Sequence, residues 1–199
     1  ELRHEVPIGI PDPFLYVEQG DTKHIVIGAM EIPRLAELGL FELHPPEQYG
    51  LDELLKSGKS WFEIGEEIRV RALRDLGVES AVVPHTFPVG VADHLRANGF
   101  ELTADRDFFD ERRRVKSEVE LEGIRRAQAA AEAGMAEARE LLGRAKANGG
   151  DYVEVDGEPL TSERLKTAIA QAFVANGSTA DEFIVAHGPQ SAIGHDMGS

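Results

Sequence analysis

Along residues 1–114 the apolar positions switch between a period of two and a period near 3.6, and the switches mark out the elements. Phe14-Leu15-Tyr16-Val17 and His24-Ile25-Val26-Ile27 are strand-like runs separated by Glu18-Gln19-Gly20-Asp21, a turn-rich stretch that predicts a hairpin. Glu31 to Leu38 follows as a short helix, with Pro33 in the first turn, where its missing N–H costs nothing. Phe41-Glu42-Leu43 is a brief strand stopped by Pro45-Pro46. From Ser60 to Leu76, Ile64, Ile68, Leu73 and Leu76 recur at helical spacing, and Gly77 caps the end. Ala81-Val82-Val83, a Pro84-to-Pro88 loop, a Val89–Ala97 helix ended by Asn98-Gly99, and Phe100-Glu101-Leu102-Thr103 complete an α/β pattern.

Beyond residue 114 the pattern becomes helical. Arg112-Arg113-Arg114 reads as a solvated linker face at a boundary, giving domains 1–114 and 115–199. Ser117 and Glu120 form a capping box, the hydroxyl taking the Glu120 amide and the carboxylate the Ser117 amide. The helix they start carries a stripe of Leu121, Ile124, Ala127, Ala131, Met135, Ala138 and Leu142, and spans ~35–40 Å. A polar connection from Gly143 to Pro159 holds a small hairpin, Tyr152 to Val155 before an Asp156-Gly157 turn. Thr161 is the N-cap of a second helix that presents Leu165, Ile169 and Phe173 and stops at Asn176-Gly177.

Last comes Phe183-Ile184-Val185-Ala186, which reads as a buried strand. It breaks at Gly188-Pro189 and leads through Ser191, Ala192 and Gly194 to His195. Small-residue loops at strand ends are where binding and catalytic groups usually sit. A single strand leaves its backbone groups unpaired. Either it joins the first domain's sheet, or its partners lie beyond Ser199, and the second expectation explains more.

Composition narrows the partners. The chain has 199 residues, 36 acidic against 21 basic, for a formal charge of −15, which argues against nucleic acid or an anionic membrane. Without cysteine there is no disulfide, thiolate metal site or thiol nucleophile. No apolar run approaches the ~20 residues that span a bilayer, and the start, Glu1-Leu2-Arg3-His4, lacks an initiator Met and a signal-peptide core. A cytoplasmic location is expected. No GxGxxG or GxxxxGK[ST] loop is present, so no nucleotide site is expected.

Two stretches carry a resemblance. Val115-Lys116-Ser117-Glu118-Val119-Glu120-Leu121-Glu122-Gly123-Ile124-Arg125-Arg126-Ala127 is similar to the opening helix of the pita-bread catalytic domain, shared by methionine aminopeptidase, Xaa-Pro aminopeptidase, prolidase and creatinase. Phe183 to His195 resembles the strand that leads to that family's substrate-site histidine. The α/β stretch before them fits the N-terminal domain of the prolidase-like members. The fold implied is α/β: a mixed-sheet creatinase/prolidase-type N-terminal domain, then the truncated start of an α+β pita-bread domain.

The resemblance implies a homodimeric hydrolase that cleaves an N-terminal or Xaa-Pro peptide bond with water held by two divalent metals, Mn or Co. It places His195 in a catalytic role and His195 with Gly188 at the peptide substrate, the imidazole donating to the leaving nitrogen or the developing oxyanion. The metal ligands would all follow the position of His195. The chain alone is therefore expected to hold no dinuclear centre and to hydrolyse nothing; Asp196 matches no ligand position. His187 and Gly194 depart from a small residue and a Pro in the family pattern. Pro13-Phe14-Leu15-Tyr16-Val17 stands in place of an aromatic-Thr-Gly segment. His85 reads as a surface loop residue, while His4, His24, His44 and His94 lack ligand spacing and receive no role. The alternatives are a metal-free peptide-binding or scaffolding module and a creatinase-like amidinohydrolase.

Overall fold

The computed structural model describes residues 2–150 and 152–198. The chain is a mixed α/β protein in two compact units, Glu1–Val115 and Lys116–Ser199. No helix among the described residues is long and apolar enough to cross a membrane.

In the first unit a short helix α1 (Leu2–Glu5) precedes a hairpin of β1 (Leu15–Gln19) and β2 (Thr22–Val26). The hairpin closes through Gly20-Asp21, with Gly20 at φ +59, a conformation glycine adopts at no steric cost. After α2 (Ile32–Ala36), β3 (Glu42–His44) returns parallel to β2, in register His24↔Glu42 and Val26↔His44. The three-stranded sheet is thus mixed, in order β1-β2-β3. A 3₁₀ turn at Pro46–Tyr49 and α3 (Leu51–Leu55) lead to α4 (Trp61–Asp75). The polar spacing of residues 45–58 had signalled neither of these turns. α4 starts on a capping box: the Glu63 amide donates to Ser60 Oγ at 3.3 Å, and the Ser60 amide to Glu63 Oε2 at 2.8 Å. A separate parallel pair, β4 (Ser80–Val83) and β5 (Glu101–Ala104), brackets α5 (Val89–Ala97).

Alternation along β2 sends neighbouring side chains to opposite faces. Val26 joins Tyr49, Leu54, Ile64, Ile68 and Ala72 on the α4 side. Ile25 and Ile27 pack with Val6 and Leu35 on the other. A third cluster, Val70, Leu73, Leu95 and Phe100, fills the space between α4, α5 and β5. All residues of β1 and β4 also line one cavity of about 1060 Å³, so the strand edges not used by β2 and β5 face it.

Arg112-Arg113-Arg114 is no linker. It ends α6 (Arg106–Arg114), whose N-cap Asp105 accepts from the Phe108 amide. The sequence reading failed here because Arg112 is held by carboxylates distant in sequence, Glu5 and Glu18.

In the second unit α7 (Glu118–Arg144) begins on the expected Ser117–Glu120 capping box. Its buried residues are Ala130, Gly134 and Leu141. The expected stripe is turned outward, with Ile124, Met135 and Leu142 more than half exposed. The partner helix α8 (Ser162–Ala175) decides the face: a Cβ on Gly134 would sit 2.5 Å from Phe173 Cε1 and 3.0 Å from Ile169 Cγ2, so only glycine permits this approach. Between them β6 (Lys146–Ala147), β7 (Val153–Val155) and β8 (Glu158–Pro159) form a small antiparallel sheet. Asp156 and Gly157, at φ +55 and +81, are the paired positive-φ residues a two-residue hairpin turn requires.

Phe183–Ala186 is not a strand. The segment has no regular secondary structure and pairs with no strand among the described residues. Phe183 packs its ring edge-on against Phe173 at 5.4 Å, while Ile184 is exposed. The apolar run has strand propensity, but it joins none of the sheets among the described residues.

Candidate functional site

Gly188 and His195 lie on one loop after residue 187. Gly188 opens a 3₁₀ turn, Gly188–Ala192, at φ +53, and Ser191 Oγ donates to its carbonyl at 2.7 Å. The turn ends with the Ile193 amide on Gln190 O at 3.0 Å. His195 follows, exposed, at φ +64. Among the described residues its imidazole has no hydrogen-bond partner, so the ring is free to meet another molecule. The loop is closed at its base by the Val185 amide on Met197 O at 3.4 Å, and Lys166 Nζ of α8 donates to Gly198 O at 3.0 Å. A Cβ on Gly198 would overlap the Val185 carbonyl, which explains glycine there. His187 Nδ1 lies 3.3 Å from Gln190 Oε1. The Glu163 carboxyl is held below the usual carboxylate range by its own backbone amide, by Thr161 and, more weakly, by the nearby Lys166 and His187.

In the first unit, a group of charged side chains stands beside β1, and Glu5, Tyr16, Glu18 and Arg112 of this group line the cavity. Tyr16 donates to Glu18 Oε2 at 2.7 Å, and Arg112 Nη2 reaches Glu18 Oε2 and Glu5 Oε1, both at 2.9 Å. Lys23 Nζ completes the group, 3.0 Å from Glu5 Oε2. Burial, then the bond to Glu18, pushes the Tyr16 hydroxyl up. Burial alone would raise the Glu18 carboxyl, but the bonds from Arg112 and Tyr16 outweigh it and hold it below the usual range. Glu18 in turn pushes the Arg112 guanidinium up. All these side chains are mutually satisfied, so the arrangement is a clamp of α6 onto the hairpin rather than a reactive set. Arg69, whose Nη1 is buried with no hydrogen-bond partner among the described residues, lines the same cavity. His85 sits exposed in the turn after β4 and is not among the residues lining it.

One cluster went unseen in the sequence. His24, Glu42 and His44, given no role on their spacing, converge with ligand atoms all within 4.8 Å of one another. Their separation in sequence hid them; the β2–β3 register joins them. The signal available was the Glu42-x-His44 alternation, which puts both on one face of a strand.

No family model and no curated protein matches this sequence. Solved structures do. An Xaa-Pro dipeptidase from Bacillus anthracis matches 99% of this chain and 48% of its own, with a TM-score of 0.65 and 13% identity. An X-Pro aminopeptidase from Thermotoga maritima MSB8 matches 94% of this chain and 45% of its own, with a TM-score of 0.57 and 16% identity. This chain has their fold. It spans about half the length of either structure, and in that span the prolidase-type fold accounts for both units.

Proposed function

We propose that this chain is the N-terminal portion of a peptidase that cleaves an N-terminal or Xaa-Pro bond. The observation that carries the reading is the match over 99% of the chain to an Xaa-Pro dipeptidase. The domain division at residues 114 and 115, a cytoplasmic location and a homodimer belong to the same reading. His195 is the residue assigned to chemistry, donating a hydrogen bond to the leaving nitrogen or the developing oxyanion, and Gly188 borders the peptide. Its exposed ring suits that role.

Two divalent metals would supply activated water in such an enzyme. The residues present do not fit them. Among the described residues His24, Glu42 and His44 are the one converging set of three or more His, Asp or Glu, and they belong to the first unit, whereas His195 belongs to the second. The pair is therefore assigned to residues of a longer protein, and residues 1–199 alone should hydrolyse nothing.

The test is an Xaa-Pro dipeptide assay with Mn²⁺ on the full-length protein that carries this sequence. Hydrolysis should be present, and His195→Ala should lower kcat by ~10²–10³ with a smaller change in KM. An inactive parent, or a variant with unchanged kcat, would overturn the assignment.

A further inference from the structure

We infer that His24, Glu42 and His44 form a binding site for a single Zn²⁺ ion. β2 and β3 run parallel with His24 beside Glu42, and His44 lies two residues on from Glu42 and so on the same face. His24 Nδ1 is 3.2 Å from His44 Nε2 and 3.2 Å from Glu42 Oε2. In a tetrahedral zinc site with bonds of ~2.0–2.1 Å, neighbouring ligand atoms stand ~3.3 Å apart. Two of the three separations already have that value. The third pair lies within 4.8 Å, and the Glu42 side chain, 63% exposed, is free to swing and close it.

The protonation problem points the same way. His24 is 8% exposed, and its Nδ1 faces both an imidazole nitrogen and a carboxylate oxygen. One ring nitrogen carries one proton or one lone pair, so it cannot satisfy both neighbours in line. A cation among the three atoms satisfies all of them at once. Two imidazoles and a carboxylate are the donors of open three-ligand zinc sites, and imidazole prefers Zn²⁺ to Mn²⁺. His44 and Glu42 stand on β3, which is an edge strand of its sheet, and His24 on the central strand. The ion would tie that edge to the central strand. The inference is independent of the proposed peptidase activity, since these ligands and that chemistry lie in different units.

The test is calorimetric titration of metal-stripped residues 1–199 with ZnCl₂, with thermal melts and Co²⁺ absorption spectra alongside. Expected are one equivalent of Zn²⁺ bound, weaker Mn²⁺ binding, a raised melting midpoint and the visible absorption of four-coordinate Co²⁺. His44→Gln should weaken Zn²⁺ by more than the ~10–100-fold that loss of an outer-sphere partner costs, while His85→Gln changes nothing. Glu42→Gln, at an exposed side chain, gives the same readout should His44→Gln fail to fold. Absence of stoichiometric binding, or affinity unchanged in His44→Gln and Glu42→Gln, would overturn the site.

Discussion

Arg112 shows how one side chain converts a basic run into structure. Its guanidinium holds Glu5 and Glu18 and lies 5.4 Å over the Phe108 ring, within its own helix. Because Arg112 and Glu18 keep 30% and 27% of their side chains in water, Arg112→Gln should cost about 1 kcal/mol at neutral pH, below the usual worth of a charge-assisted bond. The Glu18 carboxyl is depressed in the folded state, so its contribution is complete above the unfolded value of ~4.3 and fades as pH falls below it. Urea midpoints measured from pH 7 to pH 3 should therefore fall more steeply for the native chain than for Arg112→Gln. Parallel pH curves would contradict this role.

At the scale of elements, α7 is the instructive case. Its sequence offers two overlapping small-residue faces, and periodicity selected the one bearing Ile124 and Met135. The helix buries the other, because Gly134 lets α8 approach more closely than any side chain would. Gly134→Ala gains ~1 kcal/mol of helix propensity but forces overpacking worth ~1–3 kcal/mol against Ile169 and Phe173. Phe173 cannot yield freely, since it also packs on Phe183. The net result should be a loss of about 1 kcal/mol in chemical denaturation of residues 1–199. Met135→Ala, at a residue 74% exposed, should stay within ~0.5 kcal/mol. A stabilised Gly134→Ala variant would show that the helices separate in solution.

Over the whole molecule, burial is uneven. The first unit holds three apolar clusters, whereas the buried hydrophobic residues of the second are Ala130, Leu141 and Val155 among those described. Local opening free energy follows buried contacts, so hydrogen exchange should be slowest in β2 and α4 and clearly faster in α8 and β6–β8. Within the first unit, amides of β1 and β4 on the cavity side should exchange faster than those of β2, which is paired on both edges. Uniform protection across both units would contradict the uneven core.

The sequence by itself determined what is local. Caps at Ser60, Ser117 and Thr161, the Asp156-Gly157 turn and the order of α/β elements depend on side chains reaching backbone only a few residues away. The Gly188-to-His195 stretch was legible as a small-residue loop bearing a histidine, and the resemblance of Phe183 to His195 pointed to the fold. Three outcomes rested on partners far along the chain. Phe183–Ala186 needed a strand edge to pair with and joins none among the described residues, so it lies as irregular backbone. α7 took its buried face from α8. His24 and His44, 20 residues apart, became neighbours through the strand register alone. Propensity and periodicity describe a segment in isolation, whereas pairing, facing and ligand convergence are properties of two segments together, and only the tertiary structure supplies the second.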